Sequence, residues 1–148
     1  MSSCVLGFDV GSKLTGVAVG HPITASAHAL TTLPVRDGEP DWQRLDALRR
    51  EWLPDTFIVG LPLTLDGGEQ PASRAARRFA SQLQQRYGLP VAFVDERHSS
   101  QDAAQRFAAA RAAGLKRRRD AAQIDAEAAA VIVERWLTEA SALPAVER

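Results

Sequence analysis

The chain has 148 residues and carries 18 Lys and Arg against 18 Asp and Glu, a formal net charge of zero. That length suits one domain with a real core and is short for two. The balanced charge excludes a bulk attraction to nucleic acid or membrane, so any polyanion site must come from local clustering. A single cysteine, Cys4, excludes an internal disulfide, and the separated His21, His28 and His98 lack the spacing of a zinc site. No apolar run approaches the ~18 residues of a membrane span, and the N-terminus shows no basic, then apolar leader. A soluble, unprocessed protein of a reducing, cytoplasmic compartment, with no membrane partner, is expected.

In chain order, Cys4 to Val10 is an apolar run, and Thr15 to Val19 follows it after Gly11-Ser12, which predicts a β-hairpin. Ala27 to Leu33 supplies a third strand, and the Pro/Asp/Gly-rich stretch from Pro34 to Pro40 reads as a loop. Trp42, Leu45, Leu48 (with Ala47) and Trp52 recur at helical spacing until Pro54. Phe57 to Val59 is a short buried strand. After the loop from Gly60 to Gly68, the residues Ala72, Ala75, Ala76, Phe79, Leu83 and Tyr87 mark one face of a helix that Gly88 ends. Val91 to Val94 is the next strand, Ser99 or Ser100 caps a helix that ends near Gly114, and a last helix covers about Asp120 to Ala140. Later strands alternating with helices predict parallel pairing, so the domain is α/β with a mixed sheet, residues 1–140 forming one domain and 141–148 a short tail.

Three acids fall where acids are costly. Val5, Gly7 and Asp9 share one face of the first strand and Leu6, Phe8 and Val10 the other, so neither face is solvated. A lone buried carboxylate costs several kcal/mol unless cations or strong donors compensate. Asp9 therefore either closes the turn through the Gly11-Ser12 backbone or belongs to a charged site. Asp95-Glu96-Arg97 follows the strand Val91 to Val94, and adjacent strand residues point to opposite faces, so only one of its acids easily joins Asp9. On the last helix, at 100° per residue, Ile124, Ala128, Ala129, Ile132 and Trp136 form the apolar arc. Asp125 falls within that arc, with Glu127 and Glu134 opposite. A first-turn acid suits the helix dipole, yet the dipole does not choose this azimuth. Carboxylates from the first strand, a later strand end and the last helix converging on a hard divalent cation explain all three. Such ligands favour Mg²⁺ or Mn²⁺ over zinc. Two ions ~4 Å apart activate a water and stabilise the leaving oxygen in phosphodiester hydrolysis.

The stretches "GFDVGSKLTGVAVG", "VGLPLTLDGGEQ", "PVAFVDERHSS" and "IDAEAAAVIVERWL" resemble, in order and spacing, the motifs of the YqgF/RuvX proteins. These are Holliday-junction-resolvase-like members of the ribonuclease H superfamily regarded as pre-16S rRNA nucleases. The resemblance spans nearly the whole chain. It implies a ribonuclease-H-like fold, a five-stranded mixed sheet flanked by helices. It also implies Asp9, Glu96 and Asp125 as metal-binding catalytic acids, and metal-dependent cleavage of nucleic acid in maturing the 5′ end of small-subunit rRNA precursor. The chain departs from the family pattern at Lys13-Leu14, where Lys-Arg is usual, at Gly20-His21, where Ser-Asp is usual, and at His98-Ser99, where Leu-Thr is usual.

The densest positive run, "RAAGLKRRR" from Arg111 to Arg119, precedes the helix of Asp125. It is either a solvated loop or, beside a metal site, a phosphate guide in which Lys116, Arg117, Arg118 and Arg119 neutralise the backbone without reading sequence. Lys13, in the hairpin turn, and Arg97, beside Glu96, are further candidate phosphate contacts. Arg74, Arg77 and Arg78 lie largely off the apolar face of their helix. Pre-rRNA, branched DNA and a ribosomal particle are the expected partners, and the chain acts as a monomer or, on a symmetric junction, as a homodimer. An actin-like ATP-binding module shares the Asp-x-Gly turn but needs a second domain that this length excludes. A non-catalytic RNA-binding assembly factor remains the other reading, and for it the three acids are dispensable.

Overall fold

The computed structural model describes residues 3–95 and 121–142. Six strands, β1 (Val5–Asp9), β2 (Leu14–His21), β3 (Ser26–Arg36), β4 (Glu39–Pro40), β5 (Thr56–Leu61) and β6 (Val91–Asp95), form one sheet in the order β4-β3-β2-β1-β5-β6. The β1–β2, β2–β3 and β3–β4 pairs are antiparallel, and β1–β5 and β5–β6 are parallel, so the sheet is mixed as expected. The helices are α1 (Trp42–Trp52), α2 (Pro71–Tyr87) and α3 (Ala121–Ala142). The predicted helix between Ser99 and Gly114 lies outside the described residues.

Six strands replace the expected five because the Pro34–Pro40 stretch is a hairpin rather than a loop. Asp37 and Gly38 both take positive φ (53° and 77°), and Arg36 pairs with Glu39 across them. An Asp-Gly pair with φ positive at both positions is the two-residue turn whose twist matches antiparallel strands.

The two sheet faces bury different things. Leu6 and Phe8 of β1, Val17 and Val19 of β2 and Phe57, Val59 and Leu61 of β5 pack against Leu45 of α1 and Ala76, Phe79, Ala80 and Leu83 of α2. Phe8 meets the ring of Phe79 edge-on at 5.1 Å. Helix α1 starts at Asp41, whose side chain accepts from the Arg44 N–H, and α2 ends at Gly88 in the left-handed conformation. Of the predicted α2 face, Ala72 and Ala75 are exposed and Ser73 is buried instead. The Ser73 hydroxyl donates to the Pro62 carbonyl, which draws this first turn toward the β5–α2 loop.

On the outer rim of that layer the Asp46 carboxylate accepts from Arg86 Nε (2.9 Å), Arg86 Nη2 (2.7 Å) and the Tyr87 hydroxyl. The Arg86 bonds first and the Tyr87 bond second hold its carboxyl down at about 2 against an ordinary 3.8. A depressed acid contributes stability that is present above the unfolded value and lost as pH falls through the folded one. Asp46→Asn should therefore lower the urea midpoint at pH 6, and the gap from wild type should close as pH falls from about 4 toward 2. An equal gap at both ends of that range would show that the bonds add no pH-dependent stability.

The other face carries Val5 and Gly7 of β1, Gly16, Ala18 and Gly20 of β2, Ile58 of β5 and Val94 of β6, and α3 lies across it. Small residues let the helix backbone come close. A Cβ on Gly7 or Gly20 would overlap the two methyls of Val133, and one on Gly16 would overlap the Asp125 carbonyl oxygen. These contacts fix the direction of α3. Asp125 to Val133 spans about 12 Å of helix and Gly16 to Gly20 about 13 Å of strand, so α3 runs along β2. The helix is buried over more than the predicted arc, with Ala126 and Ala128 to Val133 all buried and Glu127 and Glu134 half-buried. Gly7→Ala should destabilise by about 1–3 kcal/mol, and Val133→Ala should recover part of that loss, because the obstructing atom is a side-chain methyl. A thermal unfolding cycle of the two single variants and the double variant measures the recovery.

Candidate active site

Asp9 is the last residue of β1, and its register partner on β2 is Gly16. Alternation along β1 puts Asp9 on the face of Val5 and Gly7, the α3 side. Asp125 lies in the second turn of α3 with its backbone seated on Gly16. Asp9 and the start of α3 therefore meet at one edge of the sheet, where the parallel strands β1, β5 and β6 all end. Open α/β sheets present binding crevices at such carboxyl ends. Asp125 is half-buried, and desolvation pushes its carboxyl above the usual range.

Asp95 is on the wrong side for this site. Val94 packs with Ile58 on the α3 face, whereas Asp95 pairs with Leu61, whose side chain belongs to the α1–α2 core. Phe93, two residues earlier, has the Arg77 guanidinium of α2 over its ring at 5.4 Å. The Asp95 carbonyl accepts from Arg135 Nη1 of α3 at 2.9 Å, so α3 also ties down the end of β6. Sequence periodicity could not show this contact, since Arg135 follows Glu134 on what reads as a polar flank. Glu96, Arg97 and the run Lys116 to Arg119 lie outside the described residues. Among the described residues no group of three or more His, Cys, Asp or Glu side chains is placed to hold a metal.

Lys13 is exposed in the tight turn between β1 and β2, with its carbonyl accepting from the Val35 N–H at 2.9 Å. The β5–α2 loop leaves the same sheet edge and is closed on itself, with Gly68 N donating to Thr64 Oγ1 at 2.8 Å. His21 lies at the opposite end of the sheet, next to Gly20, which pairs with Val5, and its ring faces His28 and Trp52 at 6.4 Å each. The departure from Ser-Asp at Gly20-His21 is therefore remote from Asp9. Arg77 pairs with Glu69 at 2.8 Å and Arg78 with Glu39 at 2.6 Å, so these two arginines of α2, like Arg86, have acid partners.

Sequence motifs gave no sign of a cavity of about 510 Å³ on the α2 side of the β1 end, bounded by the Val10–Ser12 turn, the β3–β4 hairpin and α2. Among the described residues no helix is long and apolar enough to cross a membrane.

Known proteins agree with this architecture. The chain is 57% identical over 143 residues to a Xanthomonas oryzae protein named "Putative pre-16S rRNA nuclease", covering 95% of this chain and 92% of that one. A Xylella fastidiosa protein of the same name is 55% identical over the same shares. Thermus thermophilus RuvC in complex with a Holliday junction substrate matches the fold with a TM-score of 0.56 at 17% identity, over 95% of this chain and 96% of that one. The Thermus thermophilus RuvC structure gives 0.52 at 17% identity, over 94% and 96%. A model of the RuvX family, described as Holliday junction resolvase, matches residues 3–139, and the chain belongs to that family.

Proposed function

We propose that the chain is a divalent-metal-dependent nuclease that hydrolyses phosphodiester bonds in maturing the 5′ end of pre-16S rRNA, as a cytoplasmic enzyme whose catalytic unit is the single domain of residues 1–140. The observation that carries this reading is the seat of Asp125 on Gly16, the register partner of Asp9, which brings two acids from distant elements to one sheet edge. The names of the two bacterial relatives supply the rRNA substrate. Glu96 completes the acid set; Asp95 faces α2, which supports Glu96 as the member of the pair that joins Asp9.

The donors fit a hard cation. Asp9 and Asp125 offer only oxygens, and burial drives Asp125 toward its neutral form, a cost that a bound divalent ion offsets. Mg²⁺ or Mn²⁺ is the ion of choice, held by Asp9, Glu96 and Asp125. When bound, it supplies an activated water and charge stabilisation at the phosphoryl oxygens. The protein's own share is positional. The β1 end and the first turns of α3 hold Asp9 and Asp125, while Lys13, Arg97 and Lys116 to Arg119 engage backbone phosphates of the substrate.

Branched DNA is the second substrate reading, favoured by the family description and by the junction-bound structural neighbour. Cleavage of precursor rRNA, single-stranded RNA and a four-way junction, each with Mg²⁺ or Mn²⁺ and an Asp9→Asn control, separates the readings. Cutting of the precursor is expected; cutting of the junction alone, by a dimeric species, would move the assignment to DNA. Changing Lys116, Arg117, Arg118 and Arg119 to glutamine should weaken binding. It should also flatten the slope of log affinity against log salt by up to about 0.7 per lost contact on a single strand. An unchanged slope returns the run to a solvated loop.

A further inference from the structure

We propose that the cavity on the α2 side of the β1 end is a nucleobase subsite, which takes one unstacked base of the substrate strand next to the phosphodiester bond cleaved at the Asp9 end of β1. The inference rests on the nuclease reading and deepens it. Asp9 and Val10 are consecutive, and Val10 lines the cavity, so the cavity and the acid lie on opposite faces of one strand end. A strand bending over this edge reaches both.

The cavity's volume, about 510 Å³, lies in the range of small-molecule sites and admits a base with its sugar. A gap between a hairpin and a helix has no room for a stacked duplex, so its guest is an unpaired base. Val35, Pro40, Ala72 and Ala75 are among the residues that line it and give the cavity apolar surface for a base. Arg78 and Gln82, one helical turn apart, supply the polar groups.

The charge of this wall is already arranged. Glu39 accepts from Trp42 Nε1 (3.0 Å), Arg78 Nη2 (2.6 Å) and Gln82 Nε2 (3.2 Å to both oxygens). Its negative charge is thus compensated and does not repel a phosphate. Arg78 remains 62% exposed with donors beyond the one Glu39 uses, and exposed Lys13 stands in the same turn as Ser12 of the lining. An apolar slot whose Glu39–Arg78 pair is neutral, with the positive Lys13 beside it and a phosphodiester site at the same strand end, suits a nucleotide unit of a polyanion.

The test uses full-length Asp9→Asn protein, which binds without cutting, and single-stranded RNA with 2-aminopurine walked through successive positions. One position should brighten on binding, as that base leaves its stack. Ala75→Phe fills the cavity from an exposed helix position and should abolish that change and weaken binding about ten-fold. Ala72→Phe, on the same wall, should do the same and guards against a local fault in the first variant. Unchanged brightening and affinity in folded variants would overturn the subsite and leave the nuclease reading intact. No binding of RNA or junction to either Asp9→Asn or wild-type protein overturns the nuclease reading itself. Adenosine monophosphate that binds as tightly as the oligonucleotide without displacing it would mark a separate nucleotide site and also overturn the proposal.

Discussion

Asp125→Asn should abolish metal-dependent cleavage while raising the thermal midpoint of the metal-free protein at neutral pH. The activity loss follows from removing a charged ligand. Loss of an outer-shell partner at a metal site costs roughly 10–100-fold, so loss of a direct ligand should cost on the order of 1,000-fold or more. The stability gain follows from burial, which raises the carboxyl of Asp125. An acid whose folded pKa is raised favours the fold fully below its unfolded value and loses that contribution as pH rises through the folded value. At pH 7 the ionised, desolvated carboxylate is therefore a net cost that the amide avoids. Below about pH 4, the ordinary carboxyl range, wild type and variant should converge. Added Mg²⁺ or Mn²⁺ should stabilise wild type and leave the variant nearly unmoved. A variant that cuts at the wild-type rate would remove Asp125 from the site. A midpoint in chelator that falls instead of rising would show that the carboxylate is already compensated in the metal-free fold.

Gly16→Ala should damage stability and activity together, and more severely than Gly7→Ala. Both glycines lie in strands under α3, but the obstructing atoms differ. At Gly7 a methyl of Val133 can turn aside. At Gly16 the obstacle is the carbonyl of Asp125, part of the helix backbone, which cannot move without shifting the start of α3. A loss of about 3 kcal/mol or more is expected, at or beyond the upper end of ordinary overpacking. The roughly 0.4–1 kcal/mol that alanine gains by stiffening the unfolded chain does not reverse the sign. Displacing the first turns of α3 moves Asp125 away from Asp9, so whatever protein remains folded at low temperature should show reduced kcat. Val133→Ala should not rescue it, in contrast to the Gly7 pair. A Gly16→Ala protein with wild-type stability and kcat would mean that α3 does not need this seat.

Much of this was legible in the residues. The β1–β2 hairpin, α1 between Trp42 and Trp52, α2 ending at Gly88 and the parallel later strands all follow from local periodicity and stop signals. Asp9 and Asp125 stood out because each interrupts an apolar pattern, and both lie at the edge where α3 meets β1. The β3–β4 hairpin carried a local signal too, the Asp37-Gly38 turn, but neighbouring Pro34 and Pro40 read as loop residues. Pro40 is tolerated because β4 is an edge strand, and Pro34 lies in the part of β3 beside which β4 does not extend.

Other features are absent from any local window. Which face Asp95 takes depends on the register of β6 against β5, a pairing between residues some 34 positions apart, as with Leu61 and Asp95. The cavity exists only where a turn, a hairpin and a helix from separate parts of the chain come together. The sequence by itself determined most of the described elements, their order and two acids out of keeping with their surroundings, because helix and strand periods and the cost of buried charge act over a few residues. The tertiary structure alone decided that Gly16 seats Asp125 beside β1, that Arg135 ties down the end of β6 and that a cavity lies behind Asp9. These are contacts between distant segments, fixed by how closely α3 and α2 can approach the two faces of the sheet.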